Sequence, residues 1–336
     1  MTAKEKILNA IIHTVAYTPS PVVKKIAYSS FREDIRKGIE QQRIERFIQN
    51  TDFDSLDISR YPICEIRNSL FDYPLFQICF LDDMLNRLIV NLSFGRKPYL
   101  TFCTKEEPDQ NLWENFFVQP YPIDESISVD NYVEEIDPIF QNYFPTGPST
   151  NEIALYSKLF KKYVMPNEST RQYFEDEVQT IFGEKRRILG VLSRGTDYVT
   201  TFGLTNETKN ESVEFLITQA KEALENQNFD YIYLATEERR IEERFRDVFG
   251  YKVLVNKRQY FDDSFYSLNP DTARISQVGF GRKRDSYYKS LEYLSSINLL
   301  SQCDALIGIN CGGTRAALFM NDQKYEFHEL YQLSDF

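Results

Sequence analysis

Three short, unbroken apolar runs in the second half of the chain constrain its fold more than any other feature: Ile188–Leu192, Tyr231–Ala235 and Ala305–Ile309. A continuous apolar run, without polar alternation, is the pattern of a strand buried on both faces. Between the first two runs, Val213, Leu216, Ile217, Ala220 and Leu224 recur at helical spacing. Ile241, Phe245, Val248 and Phe249 mark another helix, and Lys252–Val255 a further strand. A long helical segment over Ser286–Gln302 precedes the last run. After that run, Gly312-Gly313 turns the chain into a helix-forming stretch, Thr314–Met320. Strands alternating with helices in this way specify an α/β fold with a doubly wound parallel sheet.

The first half is less regular. Ile78–Leu92 reads as an apolar helix and Pro98–Phe102 as a strand after it, while the acidic stretch Asp130–Asp137 reads as loop and short helix. Pro145, Gly147 and Pro148 make Phe144–Thr150 a connection. The expected division is therefore a first domain over 1–150, opened by a basic N-terminal helix, and a second over 151–336. A chain of 336 residues with 42% hydrophobic and 15% aromatic residues can fill two such cores.

A net charge of −11 argues against a general nucleic-acid binder. The cysteines are Cys64, Cys79, Cys103, Cys303 and Cys311, an odd number with no C-x-x-C pair, which fits free thiols in a reducing compartment. No stretch is apolar enough to span a bilayer. Residues 1–37 nevertheless carry seven Lys/Arg against three Asp/Glu. That basic, partly amphipathic start could touch anionic lipid, or be an ordinary surface helix. The expected location is the cytoplasm, with peripheral contact at the inner face of the membrane as the variant.

In a parallel α/β sheet, ligands bind outside the carboxyl ends of the strands. Three polar groups fall at such ends. Arg194 to Asp197 follow the first run, Thr236 and Glu237 the second, and Asn310 to Thr314 the last. Arg194 offers a planar, permanently charged fork suited to diphosphate oxygens. Gly312 and Gly313 let backbone approach a phosphate, and the helix behind them presents free N–H groups. Glu237 could accept from ribose hydroxyls or a base edge, and Asp197 could hold Arg194 or its loop in place. The alternatives are a structural Arg–Asp turn, a tight Gly-Gly turn and a plain acidic helix start. Convergence at one sheet edge favours a site.

The stretch Gly190–Asp197 resembles the first donor-binding motif of the α-1,6-, α-1,2- and protein O-fucosyltransferase superfamily, and Tyr233–Glu238 resembles its second. Leu294–Asp304 with Ala305–Thr314 resembles the third, so the likeness spans roughly residues 185–322. It looks closest to bacterial surface-polysaccharide enzymes. The resemblance implies a GT-B fold, two Rossmann-like domains facing a cleft. It also implies metal-independent, inverting transfer from a nucleotide sugar, most often GDP-fucose, to a glycan acceptor that could be lipid-linked. Arg194 would contact the β-phosphate, Thr236 and Glu237 would lie near the nucleoside, and Asn310 to Thr314 would line the phosphates. The sequence departs from the pattern in places. Leu192 and Gly195 replace a His or second Arg, Ser296 stands where α-1,6-fucosyltransferases carry an Asp near guanine, and Phe202 falls about where a catalytic Glu is expected.

Transfer also needs a base for the acceptor hydroxyl. With only His13 and His328 present, Asp72 and Glu114 are the carboxylate candidates, each with a plain surface acid as the alternative. Trp113, Phe116 and Phe117 could stack on a sugar or pack a core. Asp52-Phe53-Asp54 spells the D-x-D metal signature of other glycosyltransferases but precedes no clear nucleotide-binding unit, so no metal is expected. A nucleotide-sugar-binding protein without turnover, a transferase for another donor, and another phosphate-site enzyme on the same fold stay open.

Overall fold

The computed structural model describes residues 33–53, 55–71, 81–104, 110–121, 132–135, 147–195, 206–262 and 279–332. These fall into two compact units. One is drawn from Met1–Asn68, Asp82–Thr101 and Gln119–Tyr143, the other from Ser69–Leu81, Phe102–Val118 and Phe144–Phe336.

In the first unit, helix α1 (Glu33–Asn50) is followed by strand β1 (Ile63–Phe71), helix α2 (Leu81–Ser93) and strand β2 (Lys97–Thr104), the ends of β1 and β2 passing into the second unit. β1 and β2 form a two-stranded sheet. The apolar helix and the strand after it thus form where expected. Where it is described, over 132–135, the acidic stretch is loop, as expected, with one bridge: Val133 pairs with Cys64 in parallel, its N–H donating to Ile63 O at 2.8 Å. Glu135, beside it, takes two donors from Arg87, whose Nη2 also donates to Arg67 O. A backbone tie and a charged pair hold this segment in place.

The second unit also holds a 3-10 turn (Leu112–Asn115) and two helices, α3 (Thr150–Tyr163) and α4 (Glu168–Ile181). Ser149 starts α3 with a capping box: its hydroxyl accepts from Glu152 N–H while the Glu152 carboxylate accepts from Ser149 N–H. There follow β3 (Ile188–Leu192), α5 (Asn206–Asn226), β4 (Tyr231–Ala235), α6 (Arg239–Phe249), β5 (Val253–Leu254), α7 (Asp285–Ser301), β6 (Ala305–Ile309), α8 (Gly312–Asn321) and β7 (His328–Tyr331). All five strands are parallel, in the order β5-β4-β3-β6-β7.

Alternate residues of each strand face opposite helix layers. Leu189, Val191, Ile232, Leu234 and Ile307 share one core with Leu216, Ile217 and Ala220 of α5 and Ile241 and Phe245 of α6. On the other face α7 lies close enough to β3 that a methyl on Gly190 would stand 3.1 Å from Leu300 Cδ2 and 3.2 Å from Ala305 O. The sheet is therefore doubly wound. Leu216 is wholly buried in the first core, and Leu216→Ala should lower stability by about 2–5 kcal/mol through lost burial and the cavity left behind. Urea denaturation measures it, and a loss under about 1 kcal/mol would mean the two layers do not pack as described.

Candidate functional site

The strand order itself nominates a site. From β3 the chain moves outward through β4 to β5, then returns to the opposite side of β3 with β6. The crevice at the carboxyl ends of β3 and β6 is thus the topological switch point, where such sheets bind ligands. Register aligns the expected groups there. Leu192 pairs with Ala235 on one side and Gly308 on the other, so Ser193-Arg194, Thr236-Glu237 and Ile309-Asn310 leave the sheet at one edge.

Glu237 fastens the β3 loop. Its Oε1 accepts from Gly195 N–H at 3.0 Å and lies 3.9 Å from Arg194 Nε. Both side chains are largely enclosed, 13% exposed for Arg194 and 5% for Glu237, so the attraction is weakly screened. Glu237 therefore orients the Arg194 loop, a task that sequence reasoning gave to Asp197. Asp197 and Thr196 lie outside the described residues, as does Asp72. The Thr236 hydroxyl is buried and accepts from Glu238 N–H at 3.4 Å, which shapes the turn out of β4.

At β6 the expected residues divide by task. Thr314 is fully buried; its hydroxyl meets Ile309 O at 2.8 Å, Cys311 O at 2.9 Å and Cys311 N–H at 3.0 Å. It closes the turn, and its one proton is spent on these carbonyls. Gly313 serves packing: a methyl there would stand 2.9 Å from Tyr293 Oη, 3.1 Å from Leu192 Cδ1 and 3.2 Å from Ile297 Cδ1. The helix starts at Gly312, two residues earlier than Thr314, which leaves Gly312 and Gly313 in its first turn. Among the described residues neither of their N–H groups donates to a backbone carbonyl outside the helix, and first-turn N–H groups have no partner within it. Asn310 links outward, its N–H donating to Tyr331 O at 2.8 Å and its Oδ1 accepting from Arg315 Nη1 at 3.1 Å.

One contributor, Arg315, escaped the sequence reading, and Ser193, which lies in the first motif, was given no task of its own there. Ser193 is 1% exposed and its hydroxyl has no hydrogen-bond partner. Arg315, steered by Asn310, brings a second cation to the first turn of α8. That the two meet at one edge is not legible without the register that puts β6 beside β3. Together the edge presents donors without acceptors (Ser193 Oγ, Gly312 N–H, Gly313 N–H) beside two guanidinium groups. Such a set suits a multiply charged anion.

Ser296 lies elsewhere, behind the exits of β4 and β5. Fully buried, its hydroxyl lies 3.0 Å from both Asn256 Oδ1 and Glu292 O and accepts from Arg258 Nη1 at 3.4 Å. Tyr233 Oη donates to the same Asn256 oxygen at 3.3 Å. Nearby, burial pushes the Lys289 ammonium down to about 8.

Glu114 is exposed on the 3-10 turn, its carboxylate accepting from Asn111 Nδ2 at 3.3 Å. Trp113, Phe116 and Phe117 are at most 3% exposed and pack a core. Phe116 stacks on Tyr287 at 5.2 Å between ring centroids. Of the D-x-D sequence, Asp52 accepts from Ser55 Oγ at 2.8 Å, and Asp54 is outside the described residues. Among the described residues no group of three or more His, Cys, Asp and Glu is placed to hold a metal ion, and no helix is long and apolar enough to cross a membrane. Cys64, Cys103, Cys303 and Cys311 are buried free thiols.

No protein-family model matches the chain, and no curated protein matches it. Among solved structures it is similar to NodZ α-1,6-fucosyltransferase soaked with GDP-fucose, at 12% identity over 78% of this chain and 93% of that one, with a TM-score of 0.45. It is similar to fucosyltransferase NodZ from Bradyrhizobium at 12% identity, 77% and 93% coverage and a TM-score of 0.46. It is also similar to POFUT1 in complex with GDP-fucose at 11% identity, 82% and 99% coverage and a TM-score of 0.43.

Proposed function

We propose that the chain is a glycosyltransferase that binds the diphosphate of a nucleotide sugar at the β3–β6 switch point and passes the sugar to a glycan acceptor. The observation that carries this reading is the gathering of partnerless donors from Ser193, Gly312 and Gly313 beside Arg194 and Arg315. When the bond to the sugar breaks, negative charge develops on the departing β-phosphate. Cations and N–H donors already aimed at that charge lower the barrier without reorganising. Glu237 contributes by holding the Arg194 loop against the end of β4.

The finer reading follows the sequence motifs. The donor is GDP-fucose, transfer is inverting and independent of metal, and the product belongs to a surface or capsular polysaccharide. On this reading residues 151–336 hold the donor and 1–150 serve the acceptor, with Asp72 and Glu114 as candidate bases. The enzyme works in the cytoplasm, with its basic N-terminus meeting the inner face of the membrane.

A thermal-shift panel of GDP-, UDP-, CMP- and dTDP-sugars tests the donor. A ligand at a hundred times its Kd should stabilise the fold by about 2.7 kcal/mol, and GDP-fucose should give the largest shift. No stabilisation by any nucleotide sugar would overturn the proposal. A shift without slow donor hydrolysis or transfer would reduce the protein to a binder.

A further inference from the structure

A second cavity lies between α3, α4, α7 and α8. Ser301 and Gln302, which end α7 just before β6 begins, and Asp322, which follows α8, sit on its wall. It therefore opens toward the amino edge of the sheet, opposite the switch point. Its volume is about 220 Å³. Protein cavities of about 150 Å³ lined by apolar groups take up benzene, so this one has room for a ring or a short alkyl chain. Phe117, Phe160, Phe174 and Phe319 supply apolar walls.

The polar groups are few and placed on one side. Ser157 is 1% exposed, lines the cavity, and its hydroxyl has no hydrogen-bond partner. Lys161 is one helical turn further along α3, on the same face. Lys324 and Asn298 stand on the rim. Neither Lys161 nor Lys324 has an ion-pair partner among the described residues. One carboxylate, Asp322, shares the rim and leaves it net positive. Buried polar groups in folded proteins are almost always hydrogen-bonded, and an enclosed hydroxyl one turn from an unpaired ammonium offers two adjacent donors to an acceptor that the protein does not provide.

We infer that this cavity binds a small anionic amphiphile, a molecule with a ring or short alkyl body and a carboxylate or phosphate head. The body lies among the four phenylalanines. The head takes the Ser157 hydroxyl and the Lys161 ammonium, with Lys324 closing from the rim.

Isothermal titration of the full chain with octanoate, octyl phosphate, octanol and inorganic phosphate tests this. Octanoate or octyl phosphate should bind saturably at one site, and whichever binds more tightly identifies the head. Octanol should bind at least about tenfold more weakly, because a neutral head forgoes the charge-assisted contact. Inorganic phosphate, lacking the apolar body, should not saturate. The double variant Lys161→Glu/Lys324→Glu changes exposed residues and leaves the core alone; it should weaken octanoate about tenfold or more and leave octanol unchanged. Saturating GDP should displace neither probe. The inference is overturned if neither anionic amphiphile saturates, if octanol binds as tightly, if inorganic phosphate binds as tightly as octyl phosphate, if the charge reversal has no effect, or if GDP competes.

Discussion

Arg194→Ala should cut sugar transfer about a hundredfold or more while leaving the fold intact, because under the proposed function it removes a cation that meets the leaving diphosphate. The expectation rests on where the side chain is held. Arg194 leaves β3 in register with Glu237 of β4 and Asn310 of β6, and it is only 13% exposed. In so enclosed a place a fixed charge acts through little water. The loss should fall on kcat and kcat/KM together, since the charge it meets is largest in the transition state. Lysine should recover only part of the rate, because a point charge does not reproduce the guanidinium fork. A folded Arg194→Ala protein with kinetics near wild type would show that the leaving group is stabilised elsewhere, with Arg315 the next residue to test. Removing Arg194 also takes away the guanidinium 3.9 Å from the buried Glu237 carboxylate, so stability should be measured alongside, to separate a thermodynamic cost from a kinetic one.

How much of this was legible beforehand depended on the type of signal. β3, β4 and β6 coincide with the three apolar runs, because strands covered on both faces must be apolar at every position. β7 did not declare itself. His328 and Glu329 in it are exposed, as an edge strand permits, and its pairing comes from β6 rather than from its own composition. β5 keeps two residues, Val253 and Leu254, of the four expected, since only these pair with β4. α3 starts inside the stretch that read as a connection. Its capping box, Ser149-x-x-Glu152, was present as a local signal, but Pro145, Gly147 and Pro148 outweighed it.

The site was legible as a list of strand ends and illegible as a division of labour. Arg194, Glu237 and Asn310 could be nominated because carboxyl ends of parallel strands carry ligand sites whatever the detail. That Glu237 fastens the loop, that Thr314 is consumed by its own turn and that Gly313 is a packing glycine all depend on register and on α7 lying close behind. Those are properties of the folded layers, and no local pattern in the chain encodes them. Ser296 illustrates the limit from the other side. It was singled out through resemblance, and it proves to be a fully engaged member of a buried network with Asn256, Glu292 and Arg258.

The close fit of the β3 loop against the end of β4 leads to the second large effect. Gly195→Ala should lower stability by about 1–3 kcal/mol, the usual range for overpacking, and weaken nucleotide-sugar binding at least about tenfold. A methyl group on Gly195 would overlap the Glu238 carboxyl group and stand 2.8 Å from Glu238 Cγ. Glu238 swings aside only by displacing the neighbours that enclose it. It is 3% exposed, and its backbone is pinned on both sides, Phe261 N–H donating to Glu237 O and Arg239 N–H to Phe261 O, each at 2.9 Å. The expected relief is a shift of the loop, which lengthens the 3.0 Å bond from Gly195 N–H to Glu237 and carries Arg194 off its aim. A double-mutant cycle isolates the cause. Glu238→Ala removes the atoms that clash, so Gly195→Ala/Glu238→Ala should be more stable than the sum of the single changes predicts, by at least about 1 kcal/mol. It should also regain part of the binding lost in Gly195→Ala. Additive single changes would mean that the collision is relieved by another route and that the glycine is needed for a different reason. Wild-type stability and binding in Gly195→Ala would mean that the loop is not held where Glu237 holds it here.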